Sequence, residues 1–179
     1  PKKVVFTEGD NIKILKAAQI AYEEGIATPV LLGRKTKIME LMEEYAIELP
    51  EVEIVDPKGD EENERREKYG QAFFEIRKRK GFTEYEAVQI MRERNYFGSM
   101  MVSEGDADAM ITGVTRGYRS CIKPALSSVG MQKDVKVISG MYILNTKRGP
   151  LFLADTTINL NPSAEELAEI TVNVAKTIR

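Results

Sequence analysis

The sequence contains no histidine, which removes every Ser-His-Asp or Cys-His catalytic arrangement and every imidazole metal site. A single cysteine, Cys121, excludes an internal disulfide and a thiolate metal cluster, and fits a reducing, cytoplasmic setting. No apolar run approaches the ~20 residues that a membrane-crossing helix needs, and the first residues lack a signal-peptide core. An excess of either charge is also missing. The 26 Lys+Arg and 28 Asp+Glu leave a formal charge of -2, without the basic surplus of a general nucleic-acid binder. Neither GxGxxG nor GxxxxGK[ST] occurs, so the dinucleotide fingerprint and the P-loop are excluded. What is present is 179 residues, 42% of them hydrophobic. That is enough for the core of one domain, or of one domain and part of another.

The apolar pattern alternates between strand and helix periods. Lys3–Phe6 reads as a strand, and Ile12, Leu15, Ala18 and Tyr22 mark a helix face closing at Gly25. A short buried strand, Pro29–Leu32, stops at Gly33, a second helix carries Ile38, Leu41, Met42 and Tyr45, and Val52–Val55 is a third strand. The charged stretch from Asp60 to Lys80 reads as a surface helix ended by Gly81. Thr83 and Glu86 form a capping box for a helix running to about Arg94, with another from Tyr96 to Glu104. Ala109–Ile111 is a further strand, followed by a polar loop and helix character around Pro124–Val129. Val135–Leu144 and Leu151–Ala154 form a hairpin, and Ser163 with Glu166 caps a last helix. Strands separated by helices imply βαβ units, hence a parallel sheet covered on both faces: a three-layer α/β fold. The boundary is expected near residue 135, with residues 1–134 forming a first α/β domain and 135–179 the start of a second. The absence of an initiating Met, and a final helix that meets Arg179 without a stop signal, read as a segment of something longer.

Ligands of open α/β sheets collect at the carboxyl ends of the strands. The loop from Thr112 to Lys123 is the leading anion candidate there. It offers Gly113 and Gly117 for close backbone approach, hydroxyls on Thr112, Thr115 and Ser120, and cations on Arg116, Arg119 and Lys123. The opposing reading is a solvated loop whose arginines pair with acids. Arg77-Lys78-Arg79-Lys80 reads first as cations on a helix C-terminus closed by Gly81. Asp155 sits where a strand ends, either as a ligand-orienting carboxylate or as a side-chain acceptor that turns the chain. Asp106 and Asp108 are too few oxygens for a hard-metal site, Met100, Met101 and Met110 read as core, and no metal site is expected.

Taken together, Val4–Asp10, the Gly-Asp-Ala-Asp-Ala-Met-Ile-Thr-Gly run at 105–113, Lys123-Pro124-Ala125-Leu126 and the long stretch Ala154–Ile170 resemble the phosphate acetyl/butyryltransferase (phosphotransacetylase) family. The wording is nearest to the phosphotransacetylase-like C-terminal domain of bacterial NADP-dependent malic enzymes, through the Ala-Asp-Ala-Met run and the stretch at 148–156. The resemblance covers the whole chain in order and implies an incomplete fold of the isocitrate/isopropylmalate dehydrogenase type. It also implies that a family arginine falls on Arg77 and a second on Lys123, where lysine loses the planar fork that suits phosphate. The family's serine- and histidine-rich stretch falls on Arg116-Gly117-Tyr118-Arg119, without those hydroxyls. The family's remaining catalytic serine, arginine and aspartate have no counterpart in this stretch.

The preferred reading is therefore a regulatory and oligomerising domain segment of an NADP-dependent malic enzyme. On this reading it binds acetyl-CoA or another CoA ester without transferring the acetyl group, and self-associates as a homo-oligomer. NADP and a divalent metal would belong to a region upstream. Arg77, Thr112, Gly113, Thr115, Arg116, Arg119 and Lys123 are the expected anion contacts, with Asp155 as a cleft carboxylate and no cofactor in the segment itself. The alternative is a segment of an active phosphate acetyltransferase, and a third reading is a ligand-free assembly domain.

Overall fold

The structure is a computed structural model, and it describes residues 1–178. Arg179, where the last helical pattern was expected to run on, lies outside the described residues. The chain divides into two compact units, Pro1–Gly130 and Met131–Arg179.

The first unit is built on a parallel sheet of order β3-β2-β1-β4, with β1 at Lys2–Phe6, β2 at Ala27–Leu32, β3 at Glu53–Val55 and β4 at Ala109–Ile111. Strand side chains alternate between faces, and each face carries its own core. Phe6 and Leu31 pack with Ile14, Leu15, Ala18 and Ile38, which come from α1 (Ile12–Glu23) and α2 (Lys35–Glu44). Val5, Val30, Leu32 and Val55 pack on the opposite face with Tyr69, Phe73, Phe97 and Met100. Those residues come from α3 (Asn63–Arg77) and α5 (Arg94–Ser103), with α4 (Glu84–Ile90) between them in sequence. The three-layer α/β expectation holds.

Several local boundaries differ from expectation. The 60–80 segment is the expected surface helix, with its charged face exposed, but α3 proper covers only Asn63–Arg77, and its apolar Tyr69 and Phe73 are fully buried and stack edge-on against Phe97, Phe82 and Tyr96. Gly70 makes the packing possible, since a Cβ there would stand 2.6 Å from both Cα and Cγ2 of Val88. The helix opened by Thr83 ends at Ile90 rather than near Arg94, because the Glu93 carboxylate accepts from Asn95 N–H (2.9 Å) and Tyr96 N–H (3.1 Å) and starts α5 afresh. The helix expected around Pro124 begins earlier, as α6 (Tyr118–Ser128). A proline inside a helix leaves the carbonyl four residues back without its donor. Here that carbonyl, on Ser120, accepts from the Asn95 side-chain amide at 2.9 Å instead.

In the second unit, β5 (Met141–Thr146) and β6 (Gly149–Ala154) form an antiparallel hairpin, followed by α7 (Ala164–Ile178). The first strand starts later than Val135. The N–H groups of Lys136 and Val137 donate to the Glu169 carboxylate (2.6 and 3.1 Å) and not to a ladder. Ser163 and Glu166 make the expected capping box.

Replacing Gly70 with Ala should destabilise the protein by about 2–3 kcal/mol, the cost of forcing a methyl into a filled α3–α4 seam. Urea unfolding of wild type and variant measures it, and an unchanged midpoint would mean the two helices separate freely.

Candidate functional site

Because the four strands are parallel, their carboxyl ends share one edge of the sheet. The chain winds outward from β1 through β2 to β3, then returns to place β4 on the other side of β1. The crevice between β1 and β4 is thus the topological switch point, where α/β sheets bind ligands. Two segments meet there: Glu8, directly after β1, and the loop from Thr112 to Gly117 between β4 and α6.

They are joined by one carboxylate. Glu8 is only 3% exposed, yet its oxygens accept from Gly113 N–H (3.0 Å), Val114 N–H (2.7 Å) and Thr115 N–H (2.8 Å), and from the Thr115 hydroxyl. Consecutive backbone donors turned inward make an anion nest, and Gly113, at φ 107°, supplies the left-handed bend. Burial on its own would raise the Glu8 pKa, but the hydroxyl and the three N–H groups outweigh it and hold the carboxyl below its ordinary value. The nest is therefore filled from inside the protein. Gly113 and Thr115 bind an anion, and that anion is Glu8.

A second residue tightens the crevice. Asn95 is 1% exposed and accepts from the Thr112 hydroxyl at 2.9 Å while donating to Ser120 on α6. It thereby ties β4, α5 and α6 together. Thr112 is thus a positioning hydroxyl. Cys121 is half-buried beside it, with Thr112 Oγ1 at 3.8 Å from its sulfur.

The cations fall into separate places. Arg116 turns out of the loop toward Glu93, at 3.7 Å. Arg119 and Lys123 are exposed and lie four residues apart on α6, so they share one face of the helix. Arg77 closes α3 ahead of a tight turn and Gly81 in the left-handed conformation (φ 85°), which satisfies the helix-end reading. Its Nε is nonetheless buried without a hydrogen-bond partner among the described residues. Burial pushes the Tyr96 phenol pKa up, while a hydrogen bond with Ser127 and, more weakly, the Arg77 charge pull against that rise; α3 itself packs against both α5 and α6.

Asp155 belongs to the second unit. Its carboxylate accepts from the N–H groups of Gly140 (2.8 Å), Thr157 (3.2 Å), Ile158 (3.3 Å) and Asn159 (2.7 Å), and from the Asn159 side-chain amide. Burial opposes its ionisation, and these donors overcome that and hold the carboxyl well below the ordinary aspartate range. Of its two readings, the chain-turning one describes the geometry. Asp106 and Asp108 likewise serve structure, accepting from the Tyr69 hydroxyl and from Lys3 N–H respectively.

The sequence profile of the phosphate acetyl/butaryl transferase family matches residues 1–179. The chain belongs to that family. It is 36% identical over 184 residues to the phosphate acetyltransferase of Thermoanaerobacterium thermosaccharolyticum, an alignment covering 99% of this chain and 55% of the relative. It is 34% identical over 183 residues to the NADP-dependent malic enzyme of Escherichia coli, covering all of this chain and 24% of that enzyme. A solved phosphotransacetylase from Streptococcus pyogenes superposes with a TM-score of 0.88 at 31% identity, over 98% of this chain and 53% of that structure. The chain therefore spans about half the length of that acetyltransferase and of that solved structure, and about a quarter of the longer relatives. Both kinds of relative match nearly the whole of this chain, and the solved structures that superpose on it are phosphotransacetylases, which shifts the balance from the malic-enzyme reading toward the acyltransferase one. Among the described residues no helix is long and apolar enough to cross a membrane.

Replacing Glu8 with Gln should lower stability by about 2–3 kcal/mol at neutral pH, by leaving nest donors poorly matched. It should also change the acid limb. A carboxyl whose folded pKa lies below its unfolded value stabilises the protein above the unfolded value, and that contribution is lost as the pH falls through the folded one. Wild type should therefore lose more stability than E8Q below the ordinary glutamate value of 4.5. Denaturant unfolding between neutral and acidic pH checks this, and parallel curves for the two proteins would remove the role given to Glu8.

Proposed function

We propose that this chain is the cation-bearing half of a phosphotransacetylase-type acyl-transfer domain, which moves an acetyl group between coenzyme A and phosphate. The single observation that carries the reading is the exposed cation pair Arg119 and Lys123 on one face of α6, the helix that leaves the switch-point loop. Among the described residues neither of the two has a carboxylate within ion-pair distance, and phosphate or thioester-carrier oxygens are acceptors that such exposed cations suit. The name and substrate of the acetyltransferase relatives support the same chemistry.

In the reaction read this way, a phosphate oxygen attacks the thioester carbonyl, the carbon–sulfur bond breaks, and the coenzyme A thiolate leaves with the electron pair. The part of this chain is electrostatic. Arg77, Arg119 and Lys123 neutralise the incoming phosphate and the carrier's phosphates, and orientation of two polyanions is the main barrier that such groups lower. Glu8 and Asn95 position the loop and α6 that present them. Because Glu8 fills the nest, side-chain cations and not the 113–115 amides hold the ligand.

A second reading is a sensing domain of a malic enzyme, which binds acetyl-CoA without reacting it and biases an oligomeric assembly. Two features favour it: Lys123 stands where the family resemblance places an arginine, and Arg116-Gly117-Tyr118-Arg119 stands where it places hydroxyl-bearing residues. In that case NADP, a divalent metal and malate decarboxylation belong to other parts of the full-length protein.

Assaying acetyl phosphate formation from acetyl-CoA and phosphate in the full-length protein separates the two. The acyl-transfer reading expects turnover that falls about tenfold to a hundredfold in Arg77→Gln, and a rise in Lys123→Arg as the bidentate fork returns. Acetyl-CoA binding by calorimetry with no acetyl phosphate formed would instead favour the sensing domain.

A further inference from the structure

A cleft of roughly 590 Å³ opens beside the switch point, at the carboxyl ends of β1, β2 and β3. Its basic side chains are Arg34, Lys58, Arg92, Arg94 and Arg116, against only three carboxylates, on Asp10, Asp56 and Glu93. This local positive excess sits in a chain whose net charge is -2. The cations converge from five places in the chain: the ends of β2 and β3, the end of α4, the start of α5, and the β4–α6 loop.

Most of the carboxylate oxygens are already engaged; one oxygen of Glu93 is buried without a hydrogen-bond partner among the described residues. Asp10 holds Arg94 in a bidentate pair at 2.6 and 2.7 Å, and Arg94, working against the upward push of burial, keeps the Asp10 carboxyl below its ordinary value. Asp56 accepts from Lys58 N–H at 3.0 Å. One oxygen of Glu93 caps α5, and the other lies 3.7 Å from Arg116, too far for a hydrogen bond. Among the described residues, Arg34, Lys58 and Arg92 have no carboxylate within ion-pair distance.

The walls are held by buried bonds, and among the described residues only Arg92 of these three side chains has a protein partner, donating to the Lys58 carbonyl at 3.5 Å. Arg66, 4% exposed, donates to the carbonyls of Pro57 (2.9 Å) and Gly59 (2.5 Å), which fixes the turn carrying Lys58. Gly33 N–H donates to Val55 at 3.0 Å, which fixes the turn carrying Arg34. Like charges drawn to one concavity repel one another unless a counter-charge joins them, and low-dielectric walls focus their field on that counter-charge.

We infer that this cleft is a binding site for a small ligand carrying two or more phosphate charges, gripped by Arg34, Lys58 and Arg92 with Arg116 on its rim. The site is separate from the Arg77, Arg119 and Lys123 group, and it stands whether the domain transfers acyl groups or senses them. Two sources share this chemistry, a free phosphate-bearing metabolite and the phosphates of a coenzyme A carrier reaching across Glu93 and Arg116.

Isothermal titration of the full-length protein with inorganic pyrophosphate tests the site. The expected result is saturable binding, weakened at least about tenfold in R34Q/R92Q, retained in R119Q/K123Q, and unaffected in K78Q/R79Q, which removes the same charge elsewhere on the surface. Arg34 and Arg92 are exposed, so the double variant keeps its fold, and its unfolding midpoint checks that. Repeating the titration with coenzyme A present assigns the source: loss of the pyrophosphate signal identifies the carrier's phosphates as the occupant, and additive binding identifies a free metabolite. Absence of pyrophosphate binding at millimolar concentration would overturn the inference. So would equal weakening by R34Q/R92Q and K78Q/R79Q, or loss confined to R119Q/K123Q.

Discussion

The Glu8 carboxylate is the interaction on which the functional end of the first unit depends. It joins the end of β1 to a loop more than a hundred residues later, at the point where the sheet changes winding direction. A carboxylate that is almost wholly buried survives there only because backbone N–H groups and a hydroxyl replace its water shell. The same bonds fix the trajectory of the β4–α6 loop, and through it the start of α6. Asn95 extends the constraint by supplying the donor that Pro124 withholds from the Ser120 carbonyl. Two polar side chains, both buried and both satisfied, thus set where the exposed cations of the loop and of α6 can point.

This arrangement separates two tasks that P-loop proteins combine. In those, the glycine-rich backbone itself cradles the phosphate. Here the backbone nest is present but internally neutralised, so affinity for outside anions rests on long basic side chains. Such groups are mobile and well hydrated, and ligands gain from several of them acting together more than from any one. The division of cations into an α3–α6 group and a group around the β1–β3 cleft follows from the same geometry, with Glu93 and Arg116 as the boundary between them.

Much of the fold was legible in the sequence, because strand and helix periods, Gly stops and capping boxes are local signals. The Thr83–Glu86 and Ser163–Glu166 caps form as the residues indicate. Errors arose where long-range partners overrode local pattern. The charged α3 buries Tyr69 and Phe73 completely because their aromatic neighbours, and the Val88 that Gly70 meets, lie elsewhere in the chain. Val135 to Gly140 alternates like a strand, but Glu169 takes two of its N–H groups. At the site, the Thr112–Lys123 loop was visible as an anion loop, and Glu8 as part of the Val4–Asp10 run that carries the family resemblance. That the second fills the first was not, since nothing local couples positions so far apart. Arg34 and Arg92 gave no motif at all, because their significance lies in meeting over one cleft.

The most direct test is amide hydrogen exchange at Gly113, Val114 and Thr115 in the full-length protein, with and without acetyl-CoA. If Glu8 occupies the nest, all three amides exchange slowly in the free protein and acetyl-CoA leaves their protection unchanged. Fast exchange in the free protein that slows when acetyl-CoA is added would show an open nest that takes the ligand directly, and would contradict the account.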